Sequence, residues 1–252
     1  MVDQQMLWDA EVAQRYDTPG EGMFSEAVLG PTVQVLADLA AGGRALELAI
    51  GTGRVAIPLS EAGVPVTGIE LSQAMIAQLR TKVDEHQIPV VRGDMVTAQA
   101  GTDFSLAFLV FNTIANLLTQ DEQVDCFRNA AQHLRLGGCF VVELWVPQLQ
   151  SFPSSNAGTL EVSKPGYLLV DTYDTLRQHV VSHHVSFDAD LAGRDARIAR
   201  TPHRYIWPSE LDLMAKLAGF SLEHRWADWD RSPFTAESRS HVSVYRLIDS
   251  AS

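Results

Sequence analysis

Arg44–Glu70 reads RALELAIGTGRVAIPLSEAGVPVTGIE. An apolar run from Ala45 to Ile50 carries Glu47 near its end and stops at Gly51-Thr52-Gly53. Arg54–Ala62 has helical character and ends at Gly63, and a second apolar run, Val64 to Ile69, ends on Glu70. The stretch therefore reads as strand, glycine turn, helix, strand. Glycines let a backbone approach a ligand closely, and the following helix start offers free N–H groups. Such a unit suits a nucleoside-containing cofactor, and its two carboxylates help to say which.

The alternation continues on both sides. Val33, Leu36, Ala37, Leu39 and Ala40 follow helical spacing and stop at Gly42-Gly43, a C-cap signal. Ser72–His86 places Met75, Ile76, Leu79 and Val83 on one helical stripe. Ile88–Arg92 reads as strand three, followed by Gly93-Asp94-Met95, and Phe104–Phe111 as a central strand buried on both faces. Thr119-Gln120-Asp121-Glu122 matches a capping box and opens a helix through Val124, Phe127, Ala131 and Leu134, ending at Leu136-Gly137-Gly138. Cys139–Trp145 is strand five. Strands alternating with helices predict an α/β fold around a parallel sheet.

Beyond strand five the pattern changes. Tyr167–Tyr173, Val180–Phe187 and Ala196–Tyr205 have a two-residue period among proline- and serine-rich turns. They predict the antiparallel strands of a small inserted lid. Pro208-Ser209-Glu210 opens a helix that stops at Gly219, and Ser221–Trp226 and His241–Leu247 are the last two strands. The expected organisation is an N-terminal arm and cofactor-binding core over 1–147, a lid over 148–207, and a C-terminal helix and strand pair over 208–252. In the arm, Trp8 and Val12 fit a short helix broken at Tyr16-Asp17-Thr18-Pro19-Gly20.

With 252 residues, 46% hydrophobic, the chain can bury a sizeable core without a disulfide or metal staple. A formal net charge of -12 repels phosphate backbones and argues against nucleic acid as a partner. The two cysteines, Cys126 and Cys139, read as buried free thiols, and no Cys/His spacing suggests a metal site. Met1–Met6 lacks the basic start and apolar core of a signal peptide, and no apolar run reaches membrane-spanning length. These features lead us to expect a soluble, cytoplasmic protein. Oligomeric state is not readable.

The carboxylates separate two cofactor classes. Ala56 holds the third position of the Gly-x-Gly-x-x-Gly/Ala fingerprint, so a nicotinamide dinucleotide has to be weighed. A carboxylate at Glu47 would repel a pyrophosphate; it would attract an ammonium group or accept hydrogen bonds from the turn's own backbone. Glu70 can accept both hydroxyls of a ribose, which either cofactor offers. Asp94 can accept from an adenine amino group or serve as a plain turn residue.

Glu47-Leu-Ala-Ile-Gly51-Thr-Gly53-Arg54, Glu70, Gly93-Asp94-Met95 and Leu136-Gly137-Gly138 before a strand resemble the ordered motifs of class I S-adenosylmethionine-dependent methyltransferases. The match covers about residues 40–146, and the C-terminal helix and strands more loosely. Ala49 departs from it, since many members carry glycine there. The resemblance implies a Rossmann-like, seven-stranded, mostly parallel sheet with an antiparallel last strand. It also implies that Ala49, Gly51, Thr52 and Gly53 contact the methionine moiety with Glu47 near its ammonium, and that Glu70 holds the ribose. Leu71 and Met75 would flank the adenine, whose edge Asp94 and the Met95 backbone would read. Arg15-Tyr16-Asp17 is similar to an N-terminal segment that folds over the cofactor in related small-molecule enzymes; Tyr16 either packs near the sulfonium or is a surface anchor.

Phe111-Asn112-Thr113 lies at the carboxyl edge of strand four, where such sheets bind ligands. Asn112 and Asn116 are either contacts to cofactor or substrate, or a turn and a helix cap. The segment Phe111-Asn-Thr-Ile lacks the Asn-Pro-Pro-Tyr type motif of base and glutamine methylators. Methyl transfer to a neutral amine needs no strong base, whereas a hydroxyl usually does. Candidate bases are His183, His184, His203, His241 and Glu143; adjacent His183 and His184 in a strand must point to opposite faces. Phe152, Tyr167, Tyr173, Phe187, Tyr205 and Trp207, with Trp226, Trp229 and Phe234, either wall a pocket or form the lid's own core. The sequence supports methyl transfer to a nitrogen or oxygen of a small molecule, of sugar-amine or natural-product type. The alternatives are an NAD(P)-dependent oxidoreductase or epimerase, which should carry a Tyr-x-x-x-Lys pair that is absent after strand four, and a non-catalytic cofactor-binding regulator.

Overall fold

The computed structural model describes residues 9–149, 158–187 and 196–248. Trp8 and Phe152 lie outside them. The chain opens with α1 (Ala10–Tyr16), whose first turn is closed by the Asp9 carboxylate accepting the Val12 amide at 3.0 Å. A 3-10 turn (Gly22–Phe24) and α2 (Glu26–Ala40) follow, and α2 ends where Ala41 turns left-handed ahead of Gly42. The chain then alternates through β1 (Ala45–Leu48), α3 (Ala56–Glu61), β2 (Val66–Glu70), α4 (Gln73–Arg80), β3 (Val90–Arg92) and β4 (Phe104–Leu109). A 3-10 turn (Thr113–Asn116), α5 (Gln120–His133) and β5 (Leu134–Trp145) complete the first part.

The capping box is present: the Thr119 hydroxyl accepts the Glu122 amide at 3.2 Å, and Glu122 accepts the Thr119 amide at 2.9 Å. α5 is shorter than the apolar periodicity implies. Leu134 already has extended backbone (φ -82, ψ 144), because it pairs with Phe104 at the start of β5. Likewise α4 ends at Arg80, although Val83 remains buried.

Four strands follow: β6 (Gly158–Lys164), β7 (Tyr167–Asp174), β8 (His179–Phe187) and β9 (Ala196–Arg204). They form a separate antiparallel sheet in that order. β6 escaped the period-two reading because its pairing with β7 slips between Leu160 and Val162, which disturbs the alternation. α6 (Pro208–Leu217), β10 (Phe220–Trp226) and β11 (Ser240–Leu247) return to the main sheet.

The main sheet has seven strands in the order β10-β11-β5-β4-β1-β2-β3. β1, β2, β3, β4 and β5 pair in parallel, and β11 is antiparallel to both β5 and β10. Two apolar layers cover it. One joins α5 and α6 to the sheet through Phe127, Phe140, Phe220 and Tyr245. The other joins α2, α3 and α4 through Leu36, Leu59 and Leu79. Cys126 and Cys139 are free and buried in these layers. Among the described residues, no helix is long and apolar enough to cross a membrane.

Candidate active site

The parallel strands deliver their carboxyl ends to one edge, and the loops there shape one end of a cavity of about 650 Å³. That size falls in the usual range for small-molecule sites. At this edge β1 runs into the turn Ala49–Gly53. Ala49 has φ +53, Gly51 φ +58 and Gly53 φ +82. A side chain on Gly53 would also collide with Leu79 and approach Ile57 to 3.1 Å, so glycine there is fixed both by conformation and by the close approach of α4 and α3. Ala49 accepts the left-handed conformation at a cost of about 1 kcal/mol or more.

Glu70, at the tip of β2, ties this turn down. Its Oε2 accepts the Gly51 amide at 2.9 Å and its Oε1 accepts the Ser72 amide at 2.7 Å. Burial raises its pKa, while the amides of Ser72, Gly51 and Leu71 favour the charged form. Glu47 lies one layer behind, on the face covered by α3. Burial pushes its carboxyl up to about 8, against the pull of Arg54 and the Ala56 amide. Its Oε2 is buried without a hydrogen-bond partner.

Tyr16, Ala49, Gly51 and Glu70 line the cavity with Leu71 and Met75. Asp94 and Met95 continue the wall, and the Asp94 carboxylate accepts the Val96 amide at 2.8 Å. Glu47, Thr52 and Gly53 are not in the wall. The Thr52 hydroxyl instead donates to Asp17 at 2.5 Å, and Gly53 packs between α3 and α4. Tyr16 ends α1 with its ring edge-on to Phe24 and with Arg54, Asp17, Glu47 and Glu70 close enough to act on its hydroxyl, whose pKa burial raises.

At the end of β4, Phe111 (φ +54) and Asn112 (φ +62) are consecutive left-handed residues, and both line the cavity. Three bonds to β5 hold this strained pair, one of them from the Asn112 amide to the Glu143 carbonyl at 3.2 Å. Glu143 Oε2 accepts the Phe111 amide at 2.7 Å, and Asn112 Oδ1 accepts the Trp145 amide at 2.7 Å. Arg54 sits over the Phe111 ring at 5.2 Å. Glu143, a candidate base from the sequence, does not line the cavity; its carboxylate braces the strained turn.

The four-stranded sheet β6–β9 bounds the other end. Strand parity decides which side chains face inward: Leu169, Asp171 and Tyr173 from β7, and Val180, Ser182 and His184 from β8. Thr201 and His203 follow from β9, and Glu161 from the irregular part of β6. His183, a candidate base, is on the opposite face, where it meets Thr172 at 3.0 Å and accepts from Arg200 at 3.3 Å. His241 is fully buried away from the cavity, bonded to Ser243 at 2.8 Å and held to about 3 by burial, so it is no base for this site.

Two of the candidate histidines do face the cavity. His184 Nδ1 shares a 2.7 Å bond with the Tyr167 hydroxyl, and burial lowers its pKa. His203 meets Trp145 edge-on at 5.7 Å, its Nδ1 is buried without a partner, and burial, with His184 nearby, holds it down to about 4. Sequence reasoning missed Asp171, Glu161, Ser182 and Trp145. The first three become visible once the inward face is known. Burial raises the Asp171 carboxyl, Ser182 donates to it, and its Oδ1 is buried without a partner. Tyr173 is pushed up to about 12 by burial and by the Asp171 and Glu161 charges. Among the expected aromatics, Tyr173 lines the cavity; Tyr205 is core and stacks edge-on with Trp207, and Trp229 is core on the far face.

The cavity wall follows the same motifs whose spacing drew the resemblance. Residues 45–138 match the family model described as a methyltransferase domain. A solved structure, the CcbJ methyltransferase from Streptomyces caelestis, is 35% identical to the chain, with a TM-score of 0.82 covering 98% of this chain and 100% of that one. The protein is a class I S-adenosylmethionine-dependent methyltransferase. The cypemycin N-terminal methyltransferase of Streptomyces sp is 25% identical over 211 residues, covering 79% of this methyltransferase and 81% of its own length. The amino pentose methyltransferase CalS10 of Micromonospora echinaspora shares the fold at 21% identity and a TM-score of 0.66, over 98% of each chain. The residues present suit S-adenosylmethionine: the buried, unpartnered Glu47 oxygen would be relieved by a nearby cation, and Gly51, in the cavity wall, has no side chain to block a ligand's approach. The nicotinamide reading falls with this membership.

Proposed function

We propose that this methyltransferase transfers a methyl group to the nitrogen of a small-molecule amine held beneath the lid. The observation that carries the reading is Asp171, an acid facing the cavity from the lid with one buried oxygen unpartnered, beside Glu161 and Tyr173. A neutral hydroxyl would not relieve that oxygen as well as the charged N–H of an ammonium. The cypemycin N-terminal methyltransferase and the amino pentose methyltransferase are named for targets that carry an amine, which supports the same class, and the acidic inner face of the lid fits a cationic substrate.

On this reading the cofactor occupies the end bounded by Tyr16, Glu70 and Asp94, with Glu47 behind it, its carboxyl drawn into the charged form by the cofactor's ammonium. Leu71 and Met75 flank the adenine, and residues 148–207 act as the lid over a core of 1–147 and 208–252. Bound there, S-adenosylmethionine supplies an electrophilic methyl carbon. Asp171 accepts a proton from the substrate ammonium and holds the freed amine, whose lone pair then faces the cofactor end. His203, kept neutral, accepts a hydrogen bond from the substrate through Nδ1 rather than acting as a strong base. The lid and Trp145 exclude water. Alignment alone can supply several kcal/mol of the order of ~7–11 in well-oriented systems.

The test compares Asp171→Asn with the parent protein. Retained cofactor affinity with loss of amine methylation supports the reading. Full methylation by Asp171→Asn sinks it.

A further inference from the structure

Thr52 sits in the middle of the glycine turn, where its family position suggests a cofactor contact. It is 1% exposed, and its hydroxyl turns away from the cavity to donate to Asp17 Oδ1 at 2.5 Å. Asp17 Oδ2 pairs with Lys82 Nζ at 2.6 Å, just beyond α4. Asp17 is thus held from two elements, and the residue before it is Tyr16, which closes the cofactor end of the cavity. A second contact anchors the same arm, since Arg54 donates to the Met23 carbonyl at 3.1 Å. The arm also reaches the lid through Glu11 and Arg197, but those side chains are 56% and 67% exposed, so solvent screens that pair and it contributes little. The Lys82–Asp17 pair is better shielded, at 32% and 27%.

We infer that Asp17 is a positioning residue: held by Thr52 and Lys82, it fixes the end of α1 so that Tyr16 stays over the bound cofactor. Thr52 then serves the arm rather than the cofactor. A hydroxyl-to-carboxylate bond at a fully buried partner has a defined direction, so it sets the rotation of α1 about its axis, which a surface ion pair does not. The inference rests on the reading that this end of the cavity holds the cofactor.

The experiment is a double-mutant cycle read by calorimetric binding of S-adenosylhomocysteine to the full chain, with melting curves to verify folding. Asp17→Ala and Thr52→Val should each weaken binding roughly fivefold to tenfold. Thr52→Ser, which keeps the hydroxyl, should restore parental affinity. In a Tyr16→Ala background, itself weakened, Asp17→Ala should add nothing, because its effect passes through Tyr16. If Asp17→Ala leaves binding unchanged, or if its loss adds in full to that of Tyr16→Ala, Asp17 does not act through Tyr16 and the inference is overturned. If Tyr16→Ala itself binds as the parent does, the assignment of the cofactor end is wrong and the inference falls with it. These outcomes separate the two failures.

Discussion

Glu70 Oε2 accepts the Gly51 amide at 2.9 Å and so joins the tip of β2 to the turn that follows β1. The other oxygen takes the Ser72 amide, so one buried carboxylate sets both the glycine turn and the start of α4. The turn and the wall residues Leu71 and Met75 depend on the same group.

Glu70→Ala should weaken S-adenosylmethionine binding by roughly 1–3 kcal/mol, since charge-assisted hydrogen bonds are lost from a buried site. Titration calorimetry measures this directly. An unchanged dissociation constant would move the cofactor elsewhere.

Glu47 makes stability depend on pH. Its pKa is about 8 in the folded protein, against an ordinary 4.5. Between those values the folded state holds a proton that the unfolded chain has released. This contribution is therefore fully present below 4.5, falls as pH rises through the window, and levels off above about 8. Glu47→Gln cannot ionise, so its melting temperature should gain on the parent's as pH rises across that window. Parallel melting profiles for the two proteins would refute the assignment.

Gly53→Ala tests the close approach of α3 and α4 to the turn. Both the left-handed backbone and the collision with Leu79 oppose it, for a loss of about 1–3 kcal/mol and a melting temperature lowered by roughly 2–10 °C. Gly42→Ala is the control: it has φ +75 but open space around it, so it should lose only the conformational part of about 1 kcal/mol. Equal losses at the two positions would mean that packing at Gly53 is unimportant.

The Asp171 carboxyl is raised by burial, so its ionised fraction in the free enzyme still increases above the usual carboxylate range. kcat/KM for an amine should rise with pH through that titration. Asp171→Asn should flatten this limb and lower kcat/KM roughly 10- to 100-fold. His203 is held down to about 4 and is neutral above that, so His203→Gln should lower the rate without moving the limb. A limb that persists in Asp171→Asn would assign it to another group.

Local signals were the legible ones. The Thr119–Glu122 box, the glycine turn and the alternation through β5 could be read because each depends on neighbours within a few residues. What depended on distant partners could not. Leu134 continues the apolar period of α5 but is drawn into β5 by Phe104. β6 was hidden by its slip near Glu161. Parity showed that only one of His183 and His184 could face the site; that it is His184 depends on which face of the lid turns inward. Glu143 and His241 are the right residue types for a base, yet their partners, the Phe111 amide and Ser243, are contributed by β4's end and by burial within β11.

The most direct test of the central claim is to identify the atom methylated. Carbon-13 methyl-labelled S-adenosylmethionine is incubated with the enzyme and a panel of small amines and amino sugars, and the product is examined by NMR. The account predicts the labelled carbon bonded to nitrogen. A labelled carbon on oxygen or on carbon would contradict it.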